Sequence, residues 1–409
     1  MKKILMIIPF ENIYPPKNGG MQRCFHIFHQ LSKYFDLTVV THNKKENFLS
    51  AAKYYPSINN AHIYSTNGAK ETFSFLSSFA KRVADAIFYR WLVRDLKTSA
   101  DGSFLKFYLM LKQQLLENEF DYIILENLNL TAQAKWMKKY SKNAAIIFDA
   151  YNVESLLAKQ KMVKTKNQET EKEYEAILGV EKNLYKIVDG IFCCSQVDLD
   201  SFEELNNNKI RTGYVLPNGV DTAFFSHSVN TNDRQLKNVL FCGSLDYEPN
   251  RIGLLWFYKH VWPLVTAKMH DLILNIVGRG DKGPYSELIN DSTTNFIGEV
   301  EDVTPWYRKC NVAIAPLLQG SGTRLKILEA MSLGNPMVST AIGAEGIECV
   351  SGRDILIADE PADFADKIIS LVSDPGKSTL ISDNARKLVE DKYSWDRIGR
   401  SLADFLQNQ

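Results

Sequence analysis

The feature that most constrains the fold of this 409-residue chain is the alternation of short apolar strands with helix-forming segments, which occurs once in each half of the chain. The candidate strands are KILMIIPF, DLTVVTH, DYIILEN, AAIIFDAYN and GIFCCS in the first half, and NVLFCGSL, LILNIVGRG, NFIGEV, NVAIAPL and PMVST in the second. Strands that are apolar throughout and separated by helices are typical of parallel sheets covered on both faces. Among the connecting segments, helices are predicted around Glu173 to Val188 and over Ile252 to Lys268. The sequence therefore predicts an α/β protein with two Rossmann-like domains.

The boundary between these halves is expected in the polar, turn-rich stretch between Pro217 and Lys237. We predict domains over 1–215 and 216–393, followed by a final helix over 394–409 for which Ser394 is a plausible cap. Ligands of open α/β sheets bind beyond the carboxyl ends of the strands. Two such domains in tandem predict parallel sheets facing an interdomain cleft, and we expect the site there.

Composition and charge narrow the class of protein. Hydrophobic residues make up 45% of the chain and charged residues 23%, which excludes a disordered, collagen-like or disulfide-rich protein. The 48 basic and 48 acidic residues cancel, whereas a general nucleic-acid binder usually carries a basic excess, so no nucleic-acid partner is expected. The six cysteines form no C-x-x-C pair, which favours buried free thiols over a zinc site.

The N-terminus resembles a signal peptide only superficially. Its apolar stretch is short, ends at Pro9 and lacks a small-residue cleavage site, so we interpret Lys3 to Pro9 as a buried strand. No run approaches the ~20 apolar residues of a membrane-spanning helix. We therefore expect a cytoplasmic protein.

The segment from Pro316 to Gly334 predicts a strand, a glycine turn and a helix over Thr323 to Leu333. A helix N-terminus presents unpaired N–H groups and the positive end of a dipole, and glycines let a phosphate approach closely. Arg324 and Lys326 add cations in the first turn, and Glu329 is placed to accept hydrogen bonds from two ribose hydroxyls. The alternative is a plain turn with a solvated basic residue pair.

Polar residues at the ends of first-half strands are further candidates. Asn152 and Glu154 follow AAIIFDA and are candidates for contact with substrate, although Asn152 would also serve as a helix cap. Glu126, which ends DYIILEN, is either an acceptor-side group or a solvated loop carboxylate. Ser195 lacks a G-x-S-x-G context and is expected to cap the next helix.

The segment over 73–97 indicates an amphipathic helix with a basic excess. Its basic residues are Lys81, Arg82, Arg90, Arg94 and Lys97, against two acidic ones. Such a helix suits a peripheral contact with an anionic membrane at its inner face or a lipid-phosphate acceptor. The alternative is an ordinary helix whose apolar face lies in the core.

Several motifs, in order along most of the chain, resemble family 4 of the glycosyltransferases, which adopt the GT-B fold. They are the Gly19–Gly20 pair, PNGVD from Pro217, NFIGEVEDVTPWY from Asn295, Glu329 followed by AMSLGNPMVST, and SWDRIGRSL. The resemblance implies an acceptor-side N-terminal domain, a nucleotide-sugar-binding C-terminal domain and a final helix that packs back on the first domain. It also implies a retaining transfer from a UDP- or GDP-sugar to a glycan or lipid-linked acceptor.

The resemblance further implies roles for individual residues. No metal or other cofactor is expected, so protein groups must stabilise the departing diphosphate. The expected donor-binding residues are Gly19, Gly20, Gly243, Gly298, Val300, Gly320, Ser321, Gly322, Thr323 and Glu329, with Arg324 and Lys326 in the catalytic role together with Asn152 and Glu154. Backbone groups of Ile297 to Val300 would receive the base. An enzyme of this type would build lipopolysaccharide, capsule or another bacterial surface glycan.

The sequence departs from the family pattern at three places. Ser321 stands where the family has a first glutamate that touches the donor sugar, and GSLDYEPN from Gly243 replaces the family's usual Arg and Lys. Tyr151 stands where a histidine is common in a similar bacterial subgroup, and it remains an acceptor-side candidate. The departures at Ser321 and Tyr151 leave open a catalytically silent binding scaffold. A nucleotide-sugar epimerase is a further alternative, because the GT-B fold also hosts such enzymes.

Overall fold

The computed structural model describes residues 1–8, 13–16, 18–42, 44–66, 103–226, 237–320 and 323–409. The chain folds into two compact units. The first contains Met1–Leu216 together with Gly399–Gln409, and the second contains Pro217–Ile398. The predicted segment 73–97, with its proposed membrane contact, lies outside the described residues, as do Ser321 and Gly322.

Within the described residues, the first unit is built on a seven-stranded parallel sheet with the order β3-β2-β1-β4-β5-β6-β7. Its strands are β1 Lys3–Ile8, β2 Asp36–Thr41, β3 His62–Ser65, β4 Tyr122–Leu125, β5 Ala145–Ala150, β6 Gly190–Cys193 and β7 Thr212–Val215. The central strands β4 and β6 are buried along their whole length, which explains why their sequences are apolar without alternation.

Helices cover this first sheet. The α-helices are Gly19–Tyr34, Lys45–Ala51, Ser103–Glu117, Ala134–Tyr140, Glu154–Thr165, Gln168–Glu181 and Gln196–Leu205, and the 3-10 helices are Pro56–Asn60, Leu128–Gln133 and Leu184–Lys186. The last part of the Trp395–Asn408 helix also belongs to this unit. There the Phe405 ring stacks on Tyr214 at a centroid distance of 4.1 Å.

The second unit contains a six-stranded parallel sheet with the order β10-β9-β8-β11-β12-β13. Its strands are β8 Asn238–Cys242, β9 Ile273–Val277, β10 Thr294–Gly298, β11 Val312–Ala315, β12 Met337–Ser339 and β13 Leu356–Ile357. Apolar clusters lie on both faces of the sheet, one around Phe257 and Leu274, the other around Met331 and Ile327. The prediction of two parallel α/β sheets is confirmed.

The helices of the second unit include two π-helical turns. The α-helices are Glu248–Trp256, Trp262–Thr266, Ser286–Ile289, Thr304–Lys309, Leu325–Ser332, Ala341–Ala344, Pro361–Ser373, Pro375–Leu388 and the start of Trp395–Asn408. The π turns are Phe257–Val261 and Val389–Tyr393, and a 3-10 turn spans Gly283–Tyr285.

Several boundaries of helices and units differ from the sequence prediction. The helix expected over Glu173–Val188 is Gln168–Glu181, because Asn167 caps it and accepts from the Thr170 amide. The helix expected from Ile252 begins at Glu248. The chain returns to the first unit at Gly399 rather than at 394, because Ser394 pairs with Val220 within the second unit.

Two predictions about side chains are confirmed. All six cysteines are free, and five of them are buried. Ser195 caps the Gln196–Leu205 helix, since its Oγ accepts from the Asp198 amide at 3.1 Å. Within the described residues, no helix combines the length and the apolar composition needed to cross a membrane.

Candidate functional site

In the second unit, the loops after three neighbouring strands are hydrogen-bonded to one another. The Gly243 amide, after β8, donates to the Val277 carbonyl of β9 at 3.0 Å. The Gly278 amide donates to the carbonyl of Gly298, the last residue of β10, at 2.8 Å. The carboxyl ends of β8, β9 and β10 therefore form one rigid surface, which contains the predicted residues Gly243 and Gly298.

Two glycines are required for this close approach. A Cβ atom on Gly278 would lie 1.8 Å from the Gly243 carbonyl oxygen. A Cβ atom on Gly243 would lie 2.9 Å from Nδ2 of Asn250 and 3.2 Å from Nζ of Lys326. Neither position tolerates a side chain without displacement of its neighbours, and at Gly278 the neighbour is backbone.

We expect Gly278→Ala to lower the free energy of unfolding of the second unit by about 3 kcal/mol, since overpacking against backbone forces the loops apart. Urea denaturation of the full chain measures this. Gly179→Ala, in the Gln168–Glu181 helix of the first unit, is the control for adding a methyl group where a Cβ atom meets nothing within 4 Å, and it should not lower stability. Wild-type stability of Gly278→Ala would show that the loops accommodate the methyl group.

Lys326 points to this surface from the second position of the Leu325–Ser332 helix. Its Nζ donates to Oδ1 of Asn250 at 2.6 Å and lies 4.8 Å from the centroid of the Phe241 ring in β8. Asn250 is itself fixed, because its Nδ2 donates to the Ser244 carbonyl at 2.8 Å. An ammonium group has three N–H donors and this arrangement uses one.

The environment of Lys326 lowers its pKa to about 8. Burial is the main cause, and the nearby Arg324 guanidinium adds to it, while Cys242 and Glu329 act in the opposite direction. A partly desolvated ammonium held in place by an amide binds an anion more strongly than a solvated one does. The arrangement thus provides a pre-oriented cation at the end of β8.

Arg324 and Thr323 come next to this lysine along the chain. Arg324 occupies the N-cap position of the Leu325–Ser332 helix and is buried, and a Cβ atom on Gly320 would lie 2.9 Å from its Nη2. The helix thus begins two residues later than expected. The buried Oγ1 of Thr323 has no hydrogen-bond partner among the described residues. A buried hydroxyl without a partner is costly, and a ligand would supply one.

Glu329 is half-buried on the same helix, one turn beyond Lys326. Its charge, after burial, contributes to raising the pKa of Cys242 to about 12. Val300 is partly buried against the core cluster that contains Cys242 and Met331. Glu329, Lys326 and Gly243 therefore lie at the same end of the sheet, and their roles in donor binding stay predictions.

In the first unit, a pocket of about 250 Å³ lies where β4 and β5 end. Glu126 follows β4 and Tyr151 follows β5, and the Tyr151 hydroxyl donates to Oε2 of Glu126 at 2.6 Å. Glu126 is completely buried, so the interpretation of this residue as a solvated loop carboxylate is wrong. Burial, and then the charge of Asp149, raises the pKa of Glu126 well above its usual value, which favours the protonated form.

A buried ion pair supports the floor of this pocket. Nε of Arg23 donates to Oδ2 of Asp149 at 3.0 Å, and its Nη1 donates to the Leu216 carbonyl at 2.7 Å. Burial alone would lower the pKa of Arg23, but the Asp149 carboxylate outweighs burial and raises it. Asp149 is buried, and its carboxylate neutralises this arginine.

Asn152 does not cap the helix after β5, contrary to the alternative role suggested for it. Val153 occupies the N-cap position without a side-chain bond. The carboxylate of Glu181, from the next helix, accepts from the amides of Glu154 at 2.8 Å and Ser155 at 3.1 Å. Asn152 is left at the pocket, with its Nδ2 3.4 Å from Oε1 of Glu154.

Gly19 and Gly20 form the first turn of the Gly19–Tyr34 helix, where Asn18 accepts from the Met21 amide at 2.9 Å. A Cβ atom on Gly20 would lie 3.3 Å from the ring of Tyr151. The structure thus places Gly20 beside the first-unit pocket. Its expected contact with the donor diphosphate stays a prediction.

Sequence reasoning missed three positioning residues. Asn250 holds Lys326, Arg23 neutralises Asp149, and Glu181 caps the helix after β5. Asn250 lies in the GSLDYEPN segment, and the departure of this segment from the family pattern could have indicated its role. Nothing in the sequence indicates the roles of Arg23 and Glu181, because the residues they contact are distant along the chain. Among the described residues, no group of three or more His, Cys, Asp or Glu side chains is placed to hold a metal ion.

Comparison with known sequences finds one matching family model and several relatives. Residues 236–374 match the family model described as Glycosyl transferases group 1. An uncharacterised 44.6 kDa protein in the cps region of Klebsiella pneumoniae is 26% identical over 70% of this chain and 72% of its own length. The phosphatidyl-myo-inositol mannosyltransferase of Mycolicibacterium smegmatis is 33% identical, over only 32% of this chain and 34% of its own length.

Solved structures share the fold over the whole chain. Anabaena Alr3699/HepE in complex with UDP has a TM-score of 0.68 and 13% identity, and each chain is covered completely. Sucrose-phosphate synthase from Thermosynechococcus elongatus has a TM-score of 0.69 and 14% identity over 100% of this chain and 99% of its own. At this identity the likeness establishes the fold, which is GT-B.

Proposed function

Because residues 236–374 match the group 1 glycosyltransferase model and the motifs of the chain resemble family 4, we propose that it transfers a sugar from a nucleoside-diphosphate sugar to an acceptor hydroxyl of a glycan or lipid-linked glycan. The observation that carries the choice of donor is the ammonium of Lys326, held by Asn250 at the end of β8. A fixed cation beside an open helix N-terminus is suited to a diphosphate.

The diphosphate is the leaving group, so its developing negative charge is what the protein must stabilise. Lys326 and Arg324 supply the positive charge, and the amides at the start of the Leu325–Ser332 helix supply N–H donors. The Thr323 hydroxyl, which lacks a partner among the described residues, donates to a phosphate oxygen. These groups are fixed before the ligand binds, which avoids reorganisation during the reaction.

Glu329 accepts hydrogen bonds from the two ribose hydroxyls, one turn along the same helix. The backbone around Gly298 and Val300 receives the base. The complex of the similarly folded Anabaena protein with UDP favours uridine as the nucleoside. We propose further that the transfer retains the anomeric configuration and needs no metal ion, since protein cations take over charge neutralisation.

The first-unit pocket around Glu126, Tyr151, Asn152 and Glu154 contributes to binding of the acceptor. The cps-region relative and the lipopolysaccharide core mannosyltransferase LpsB of Rhizobium meliloti favour a role in the synthesis of a surface polysaccharide.

Calorimetric titration of the full chain with UDP, with and without EDTA, tests the proposal. We expect binding that EDTA leaves unchanged, and Glu329→Ala is expected to weaken it about tenfold, through loss of hydrogen bonds to a charged group. Glu287→Ala, at an exposed position of the same unit, is the matched control and should bind as the wild type does. Absence of UDP binding, or its abolition by EDTA, would contradict the donor site described above.

A further inference from the structure

We propose that the first-unit pocket selects an uncharged sugar ring and rejects a ring that carries a carboxylate or phosphate. This inference rests on the proposed function and specifies the substrate class of one of its two sites. Three observations support it. The pocket is lined by acidic and amide side chains, the Arg23 guanidinium beside it is already bonded to Asp149, and Oε1 of the buried Glu126 can still form a hydrogen bond.

The described side chains that line the pocket are acidic, amide, phenolic or apolar, and none of them is basic. The carboxylates are Glu126, Asp149 and Glu154, and the amides are Asn127, Asn129 and Asn152. Its volume of about 250 Å³ is below the ~300–1,000 Å³ of pockets that take drug-sized ligands, so it suits a single small ring.

Arg23, whose guanidinium lies 5.9 Å from the centroid of the Tyr151 ring, is not available to an anionic ligand. Its side chain is 1% exposed. Its guanidinium donates through Nε to both carboxylate oxygens of Asp149 and through Nη1 to the Leu216 carbonyl. The Arg23–Asp149 pair is neutral as a whole, so it offers no net attraction to a phosphate or a carboxylate.

Glu154 adds negative charge to the lining of the pocket. It is half-buried, and Asn152 is its hydrogen-bond donor, at 3.4 Å. An anionic ring in the pocket would lie near this carboxylate in a medium of lower polarity than water, where like charges repel more strongly. No cation on the described lining would offset that repulsion.

Glu126 indicates what the pocket accepts instead. Its Oε2 accepts from the Tyr151 hydroxyl, and the Cys24 thiol, a weak donor, also lies beside the carboxyl group, while Oε1 is buried without an N–H or O–H partner among the described residues. Burial raises the pKa of this carboxyl group, so the protonated acid is favoured and Oε1 can carry the proton. A protonated carboxyl beside amide groups both donates and accepts hydrogen bonds, as neutral sugar hydroxyls require.

Saturation-transfer NMR on the full chain tests this selection with three pairs of probes. Each pair is a methyl glycoside, of gluco, galacto or manno configuration, and the matching methyl glycosiduronate. We expect at least one neutral ring to bind about tenfold or more tightly than its uronate. Glu154→Gln should reduce this ratio to about threefold or less, whereas Glu175→Gln, at an exposed position of the Gln168–Glu181 helix, should leave it unchanged.

Equal binding within all three pairs, tighter binding of a uronate, or binding of no probe would overturn the inference. A UDP titration of the same sample distinguishes this failure from failure of the donor site. A neutral glycoside that weakens binding of UDP-glucose but not of UDP shows that the pocket holds the donor sugar. One that leaves both unchanged shows that it holds the acceptor sugar, and either result supports the selection for an uncharged ring.

Discussion

Replacement of Lys326 by alanine is expected to lower kcat/KM by about 100-fold, measured with the UDP-sugar that gives the highest turnover in a panel of donors. The variant loses a charge-assisted hydrogen bond to the diphosphate, an interaction that contributes roughly 1.5–3 kcal/mol. It also leaves Oδ1 of Asn250 without its donor. The effect should fall on turnover more than on donor affinity, because charge on the diphosphate grows as the sugar departs.

Two further variants isolate the role of this ammonium. Lys309→Ala removes an exposed lysine of the same unit and should retain wild-type activity. Lys326→Arg keeps the charge but places a larger group against Gly243, where Nζ already lies 3.2 Å from the position that a Cβ atom on this glycine would take. Partial recovery by arginine would support a role in charge stabilisation. Wild-type rates in Lys326→Ala would show that another group binds the diphosphate.

The lowered pKa of Lys326 gives a pH dependence with a defined sign. In the unliganded protein the ammonium is charged below about pH 8 and loses its proton above it. A diphosphate binds the charged form, so UDP affinity should fall above pH 8, by up to about tenfold per pH unit, until it reaches the affinity of Lys326→Ala. Calorimetry between pH 7.5 and 9.5, where the terminal phosphate of UDP is already ionised, measures this. Lys326→Ala should bind weakly and without this slope.

Replacement of Arg23 by alanine is expected to lower the free energy of unfolding of the first unit by about 3–5 kcal/mol. The substitution leaves the Asp149 carboxylate buried without its cation and removes the donor to the Leu216 carbonyl. Urea denaturation, with hydrogen exchange of peptides from β1 and β5, measures the loss. Arg211→Ala, whose side chain is 78% exposed, is the control and should change stability little.

A double variant separates loss of the pair from loss of packing. Arg23→Met with Asp149→Leu removes both buried charges and should recover most of the stability lost in Arg23→Ala, because apolar pairs often replace buried ion pairs without cost. A double variant as unstable as Arg23→Ala would indicate that the bond to Leu216, rather than the charge pair, stabilises this region. Stability of Arg23→Ala equal to the wild type would contradict the structural role of the pair.

The sequence predicted the sheets well because their strands are apolar along their whole length. The strands KILMII and IIFDA follow from composition alone, and Gly19, Gly20 and Gly320 mark turns that open helices. Boundaries such as the start of Glu248–Trp256 were missed. Pro249 lies in the first turn of that helix, and a proline in a sequence is typical of a loop as well as of a helix start.

The candidate sites were predicted less completely, for a different reason. Lys326 and Glu329 share a helix, so their proximity follows from sequence spacing. Asn250 lies 76 residues from the lysine it binds, and Arg23 lies 126 residues from Asp149. Contacts of this kind depend on how strands are ordered in a sheet, which a single sequence leaves undetermined.

The division of the Trp395–Asn408 helix between the two units restricts how this protein can be recombined. The chain passes from the first unit to the second at Leu216 and returns at Gly399, in the middle of that helix. Its final turns complete the first unit, where the Leu406 carbonyl accepts from the Tyr122 hydroxyl at 2.9 Å. A chimera that exchanges the second units of two such proteins therefore needs two junctions. A gene fused at a single junction would encode a first unit whose terminal helix comes from the other protein.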